Sequence, residues 1–314
     1  MKILRGDVLI FIIAFLSVVF LIIFIVTATV IGMNMAVIRQ KSRKSADTLG
    51  EFDKTYKQYI DAGKRWLEGR DAEEQYITSF DGLKLYGRLF RNGNSNTTII
   101  MMHGFRSTAE HDFSLAFEFY FNKGFNLLIP DQRSHGKSEG KFITYGAYES
   151  RDVISWAEHI NTIFPDGSLY ITGVSMGATT VLMAIEQGLP TNVLGIIADC
   201  GFTSPAEIIK KVMKKDLKVP LFPFYYTTRA VTKLLTGFDF EEYSAVRAVR
   251  ESKIPILFLH GKSDGFVPFY MGEEIYSAAA CRKKAVWVEG ADHGCSFLID
   301  REGCTKALYG FLGI

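Results

Sequence analysis

A mostly parallel α/β domain carried behind one membrane-spanning helix is the architecture this sequence predicts. Three observations carry it: a run without a charge from Val8 to Gly32, apolar runs alternating with helical patterns after residue 97, and the pentapeptide Gly173-Val174-Ser175-Met176-Gly177 between a strand pattern and a buried-helix pattern. The chain has 314 residues, 48% hydrophobic and 22% charged, enough for a sizeable core. Its formal net charge of +2 gives no footing for nucleic acid. No repeat or low-complexity stretch interrupts it, and the residues beyond the N-terminal segments suit one large domain better than two small ones.

In chain order, residues 1–7 form a short tail and residues 8–32 the span, VLIFIIAFLSVVFLIIFIVTATVIG. At about 1.5 Å per residue a helix of this length exceeds a hydrocarbon core of about 30 Å. A cleaved signal peptide is the rival reading; its apolar region runs about 7 to 15 residues before a small-x-small site, and this run is longer. Lys2 and Arg5 precede the span while Arg39, Lys41, Arg43 and Lys44 follow it, a count that leans towards a single-pass protein with a cytoplasmic catalytic domain. Residues 33–73 read as a basic linker and an amphipathic helix, about Glu51 to Glu68, on which Phe52, Tyr56, Tyr59, Ile60, Trp66 and Leu67 recur at near-helical spacing. That helix either packs on the domain or lies at a membrane surface.

The domain proper spans 74–314 and opens with a hairpin, Glu74–Phe80 and Leu83–Phe90 about Asp81-Gly82. Strand patterns follow at Thr98–Met102, Asn126–Pro130, Leu169–Thr172, Val193–Ala198, Ile256–Leu259 and Ala285–Val288, with helical patterns at Ser114–Asn122, Tyr148–Asn161 and Thr179–Gln187. In such sheets the chemistry gathers at the carboxyl ends of the strands. There stand His103-Gly104-Phe105, the loop Asp131 to Ser138, Ser175, Asp199, His260 to Asp264, and Asp292-His293-Gly294.

A serine on a sharp strand-to-helix turn needs small neighbours, and glycine stands two before and two after Ser175. Its hydroxyl becomes a competent nucleophile only when an imidazole takes its proton and a carboxylate fixes that imidazole. Ser175, Asp264 and His293 occur in the order serine, acid, histidine at strand ends that can deliver all three to one place. Asp199, which also follows a strand, could be the acid instead.

With these motifs in view, the chain resembles the α/β-hydrolase superfamily, and in detail its serine aminopeptidase and carboxylesterase-like members with a membrane-anchored N-terminus. His103-Gly104-Phe105, Asp131-Gln132-Arg133-Ser134-His135-Gly136, the Ser175 pentapeptide, His260-Gly261-Lys262-Ser263-Asp264 and Gly290-Ala291-Asp292-His293-Gly294 carry the likeness, over about Glu74 to Leu312. It implies an eight-stranded sheet with an antiparallel second strand and helices on both faces. It also implies Ser175 as nucleophile, Asp264 as acid, His293 as base, and an oxyanion hole from the backbone N–H groups of Phe105 and Met176. Ser134 departs from the family, which more often has glycine there.

The expected activity is hydrolysis of a small-molecule or lipid acyl ester by a membrane-anchored serine hydrolase. Peptidase or thioesterase activity on the same triad, or a catalytically silent binding protein, are the alternatives. No spacing of His, Cys, Asp and Glu suggests a metal site and no glycine fingerprint suggests a nucleotide, so no cofactor is expected. His103 and His260 read as turn hydrogen-bonders, and His135, Asp131 and Arg133 as loop braces. Cys200, Cys281, Cys295 and Cys304 show no paired spacing and read as free thiols, with Cys295 packing or sensing oxidants beside His293. A small cap is expected at about 203–250, its aromatics at Leu221–Tyr226 lining an acyl pocket; the alternative is a helix pair on the sheet edge. The lysines at 210, 211, 214, 215 and 218 read as a solvated face.

Overall fold

The computed structural model describes residues 2–39 and 51–314; the basic linker residues Lys41, Arg43 and Lys44 lie outside the described residues. The hairpin strands are β1 (Glu73–Thr78) and β2 (Lys84–Phe90), followed by β3 (Thr97–Met102), β4 (Asn126–Pro130), β5 (Ser168–Val174), β6 (Val193–Asp199), β7 (Ile256–Gly261) and β8 (Lys283–Val288). They form one eight-stranded sheet in the order β1-β2-β4-β3-β5-β6-β7-β8. β2 runs antiparallel to both β1 and β4, and every other pairing is parallel. The α/β-hydrolase architecture expected from the motifs is therefore present, antiparallel second strand included.

The sheet is buried on both faces, and its strands divide their side chains with period two. Ile100, Met102, Ile171, Ile196 and Phe258 enter one core, while Ile99, Met101, Tyr170, Ile197 and Leu257 enter the other. The first core is closed by α5 (Glu149–Ile163), α6 (Met176–Met183), α9 (Ala245–Val249) and α10 (Phe269–Ala278). The second is closed by α2 (Glu51–Glu68), α3 (Ala109–Asp112), α4 (Phe117–Asn122), α11 (Ser296–Ile299) and α12 (Arg301–Leu312). Because β4 and β5 leave β3 on opposite sides, the sheet has its topological switch between β3 and β5, where a crevice opens at the carboxyl ends.

The amphipathic helix α2 packs on this body. Leu67 is buried, and the Trp66 ring stacks on Phe117 at 6.0 Å and meets Phe121 edge-on at 5.3 Å. Truncating a side chain as buried as Leu67 to alanine costs about 2–5 kcal/mol, so this end of α2 belongs to the core.

Three helical expectations shift. The pattern read at Ser114–Asn122 shortens to α4, with α3 as a separate turn before it; α6 begins at Met176 rather than Thr179; and a 3-10 turn takes Ala184–Gln187. The helices α3, α9, α10, α11 and α12 went unread in the sequence.

A second compact unit comprises the N-terminal helix and residues 209–239. The apolar helix α1 runs Lys2–Ala36, beyond the span read from the sequence, and its stretch Ile10–Met33 has mean hydropathy 3.3 and is long enough to cross a membrane. The insertion after β6 forms α7 (Pro205–Lys211), a π turn at Val212–Asp216 and α8 (Leu221–Thr236). α8 packs along α1: Phe224 lies edge-on to Phe24 at 5.8 Å, and Thr29 Oγ1 donates to Thr227 Oγ1 at 2.8 Å. Lys214, Lys215 and Lys218 are exposed as expected, but Lys211 is not on a solvated face; it is buried in an ion pair with Asp216 at 2.9 Å.

Candidate active site

The turn after β5 is held by backbone contact. Ser175 adopts φ 56° and ψ −118°, a region that costs a non-glycine residue about 1–3 kcal/mol. A Cβ on Gly173 would sit 2.2 Å from the Gly177 carbonyl oxygen, and one on Gly177 would sit 1.9 Å from that of Met102, so neither position has room for a side chain. The Ser175 N–H donates to the Asp199 carbonyl at 2.8 Å, tying the turn to β6. Ser175 thus stands at the N-terminus of α6, where the first N–H groups lack intrahelical partners and the helix dipole favours negative charge.

Two loops meet this serine. His293, after β8, brings Nε2 to 2.9 Å from Ser175 Oγ, and its Nδ1 lies 2.8 Å from Asp264 Oδ2, after β7. Asp264 Oδ1 accepts the N–H groups of Phe266 at 2.9 Å and Val267 at 2.7 Å, and His260 Nε2 lies 3.3 Å from Oδ2. Burial pushes the Asp264 carboxyl up, but hydrogen bonds and charge from His260 and His293 outweigh it and bring it to about 2. An ionised Asp264 only accepts, so His293 carries its proton on Nδ1 and offers the Nε2 lone pair to the serine hydroxyl. The structure brings Asp264, not Asp199, to the imidazole: Asp199 Oδ1 accepts from Ser296 Oγ at 3.2 Å, and burial raises its carboxyl to about 6.

The loop after β3 is held by side chains from elsewhere. Asp112 Oδ2 accepts the Gly104 N–H at 2.6 Å, and its Oδ1 accepts Ser107 Oγ at 2.6 Å and His111 Nδ1 at 2.8 Å. Burial pushes this carboxyl up, yet the hydrogen bond and charge of His111, with Ser107 and Gly104, leave it lowered. His135 Nε2 accepts the Arg106 N–H at 2.9 Å, and its Nδ1 donates to the Arg133 carbonyl at 2.9 Å. That buried ring is neutral; desolvation first, then the neighbouring His103, brings it down to about 3. Gln132 bonds to His103 through both its backbone and its side-chain nitrogen. Phe105 is therefore flanked by anchored residues, and a Cβ on Gly104 would lie 3.4 Å from Ser175 Cβ, so the loop rests against the serine. Sequence reasoning missed Asp112.

The remaining residues singled out in the sequence take supporting positions. Arg133 is buried against Asp152 at 2.6 Å and reaches Asp81 at 2.9 Å, while Asp131 Oδ2 accepts the Lys137 N–H at 2.8 Å. Ser134 has φ 64°, a conformation that glycine adopts more readily, and its Oγ donates to the Phe142 carbonyl at 2.7 Å. Cys295 is buried with its thiol donating to the His293 carbonyl at 3.2 Å and pushed up to about 12, first by burial and then by nearby carboxylates, which suits packing. Cys200 also lies close by, its Sγ within 4.8 Å of ligand atoms of Asp264 and His293. Both nitrogens of His293 are engaged by Asp264 and Ser175, and burial holds the Cys200 thiol far above its ordinary value, so the cluster offers a metal neither a vacant imidazole nitrogen nor a thiolate.

A cavity of about 280 Å³ opens beside Ser175. It runs under the second face of the sheet, past Val174, Ile197, Leu259 and Leu308. Its aromatic lining includes Tyr56, Tyr59, Phe105, Phe113, Phe266 and Phe297, whereas the sequence points to Leu221–Tyr226.

Comparison with known proteins agrees with the fold. A family model described as alpha/beta hydrolase fold matches residues 97–230. The chain is similar to YqkD of Bacillus subtilis, at 28% identity over 75% of this chain and 77% of that protein. It is also similar to the lysophosphatidylserine lipase ABHD12 of Danio rerio, at 26% identity over 60% of this chain and 49% of that protein. Among solved structures, the esterase Pf2001 of Pyrococcus furiosus superposes with a TM-score of 0.65 at 23% identity, covering 87% of this chain and 98% of that one. An esterase from Exiguobacterium antarcticum gives 0.57 at 17% identity, over 77% of this chain and 100% of its own. At these identities the two superpositions speak to the fold.

Proposed function

Since the chain is a member of the α/β-hydrolase superfamily, we propose that it is a serine hydrolase of carboxylic esters, held at a membrane by α1. The observation that carries the reading is the unbroken chain from Ser175 Oγ to His293 Nε2 at 2.9 Å and from Nδ1 to Asp264 at 2.8 Å.

In the first half-reaction Ser175 Oγ attacks the ester carbonyl carbon while its proton passes to His293 Nε2. The carbonyl electrons move to oxygen, and that oxyanion is received by the N–H groups of Phe105 and Met176. Collapse expels the alkoxide, which takes the proton from His293, and leaves an acyl-Ser175 ester. Water repeats the sequence: it gives a proton to His293, attacks the acyl carbon, and Ser175 leaves with the proton as the acid is released. Asp264 stays ionised throughout and stabilises the transient imidazolium. Aminoacyl amides and thioesters use the same steps. The apolar cavity beside Ser175 favours an acyl chain, and the name of the Danio rerio relative supports testing lipid esters first.

One experiment tests nucleophile and anchor together. Membranes carrying the full chain, washed with alkaline carbonate, are treated with a fluorophosphonate probe. The labelled band is expected in the pellet and absent from Ser175→Ala, whose hydrolysis of short p-nitrophenyl esters falls by about 10⁴-fold or more. Equal labelling of the variant sinks the nucleophile; release of labelled protein by carbonate sinks the transmembrane anchor. Protease accessibility in intact cells then assigns the side, with protection expected from the basic residues after the span.

A further inference from the structure

One wall of the cavity comes from α2, the helix that precedes the sheet in the chain. Tyr56, Tyr59 and Ile60 line the cavity together with Phe105, Phe266 and Leu298. These three residues sit at i, i+3 and i+4 on one helical face, and Gly63 and Leu67 continue that stripe one and two turns further. The two ends of the stripe are held differently. At the C-terminal end Leu67 is buried in the core, Trp66 is enclosed by Phe90, Phe117 and Phe121, and the Arg70 guanidinium covers the Trp66 ring at 3.8 Å. At Gly63 the helix backbone touches the Ser114 backbone so closely that a Cβ would meet Ser114 Cα at 2.4 Å. Beyond that contact, towards the N-terminus, the stripe faces the cavity instead of a packed core, and Tyr56, Tyr59 and Ile60 are each only part-buried.

A hydrophobic face that covers empty volume gains its burial when an apolar ligand fills that volume. Lys57 and Gln58, on the far side of the same turn, are exposed. The helix is thus fixed in register by Gly63, Trp66 and Leu67 and presents two phenol rings and one aliphatic side chain to whatever occupies the site.

We infer that Tyr56, Tyr59 and Ile60 form the wall of an acyl-chain site continuous with Ser175, and that their size sets the length of chain the enzyme accepts. This rests on Ser175 being the nucleophile. The specificity element is then the helix that joins the apolar N-terminal segment to the sheet, and its substrate class is an aliphatic acyl group. Each methylene the wall admits is worth on the order of a fourfold gain in capture, the free energy of burying one CH₂.

The test reads chain length without depending on which acyl bond is the natural one. Full-length protein in detergent is reacted with fluorophosphonates carrying ethyl, butyl, octyl and dodecyl chains, and second-order labelling rates are compared. Tyr59→Ala with Ile60→Ala is expected to raise the octyl-to-ethyl rate ratio by about tenfold, and Ile60→Trp to lower it by a similar factor. Lys57→Ala, on the outward face, leaves the ratio unchanged. Opposite shifts from a smaller and a larger side chain cannot come from loss of folding. A ratio that moves with neither substitution, or moves equally with Lys57→Ala, overturns the inference while leaving the nucleophile in place. No labelling of wild type by any chain length overturns the nucleophile and this inference together.

Discussion

Two loops hold Ser175 and the Gly104–Phe105 backbone beside it, and they are fixed by opposite means. The turn at Ser175 is held by what is missing: with no Cβ at Gly173 and Gly177, α6 crosses the ends of β3 and β5 at contact distance. The loop at Phe105 is held by what is added: Asp112, His135 and Gln132 supply acceptors and donors to its backbone. Steric fixation depends on two positions in one pentapeptide. Polar fixation depends on residues up to 31 positions away from Gly104, and on their protonation. The first fails abruptly when any atom is added; the second weakens by degrees and responds to pH.

Substitutions that attack each kind of restraint separate them. The largest effect is expected from Gly177→Ala, because the new methyl would overlap the Met102 carbonyl, backbone that cannot rotate away. Destabilisation of at least about 3 kcal/mol is expected, seen as a loss of soluble, probe-reactive protein; a variant with wild-type melting temperature would show that the turn has slack. Next comes Asp112→Asn, which keeps the volume but cannot accept from Gly104, Ser107 and His111 together. A fall in kcat of about 10- to 100-fold with KM for a short ester within about threefold is expected, since an oxyanion donor acts in the transition state. If kcat holds while the melting temperature falls, Asp112 serves stability alone.

The smallest effect is the one that pH reveals. His135 is neutral in the fold, with its proton affinity brought down from 6.5 to about 3, so between those values the unfolded chain binds the extra proton and the folded one does not. Stability on this account is intact above about pH 6.5 and falls as pH drops towards 3, by at most about 4 kcal/mol. Gln at 135 can accept from Arg106 and donate to the Arg133 carbonyl without titrating. A melting-temperature profile of His135→Gln should therefore lose less between pH 6.5 and pH 4 than the wild type, and parallel profiles would mean that the ring is not buried neutral.

The same contrast explains what could be read in the sequence. Steric demands restrict residue identity at fixed spacing, so Gly-x-Ser-x-Gly announces its turn, while alternation marks the two hairpin strands and short apolar runs mark the other six. Asp112 left no trace because its partners are two N–H groups and a hydroxyl, which any loop sequence supplies. The early start of α6 was hidden by Gly177, Thr179 and Thr180, weak helix formers whose conformation is set by burial. α12 carries Gly303 and Gly310, poor helix formers that blur its helical pattern. Asp199 could not be told from Asp264 by spacing, since both follow strands that end at the same edge; the loop that turns Asp264 towards His293 made the difference.

The seam between α1 and α8 bears on how this protein can be handled. Phe24, Thr29 and Gly32 meet Phe224, Thr227 and Thr228, so the N-terminal helix is half of a joint as well as an apolar rod. Cutting the chain before the amphipathic helix, the usual way to make such a protein soluble, would strip one surface of that joint and leave an aromatic ring and two threonines facing water. A clean excision therefore needs a second cut, through residues 209–239, or polar replacements along the bared side of α8.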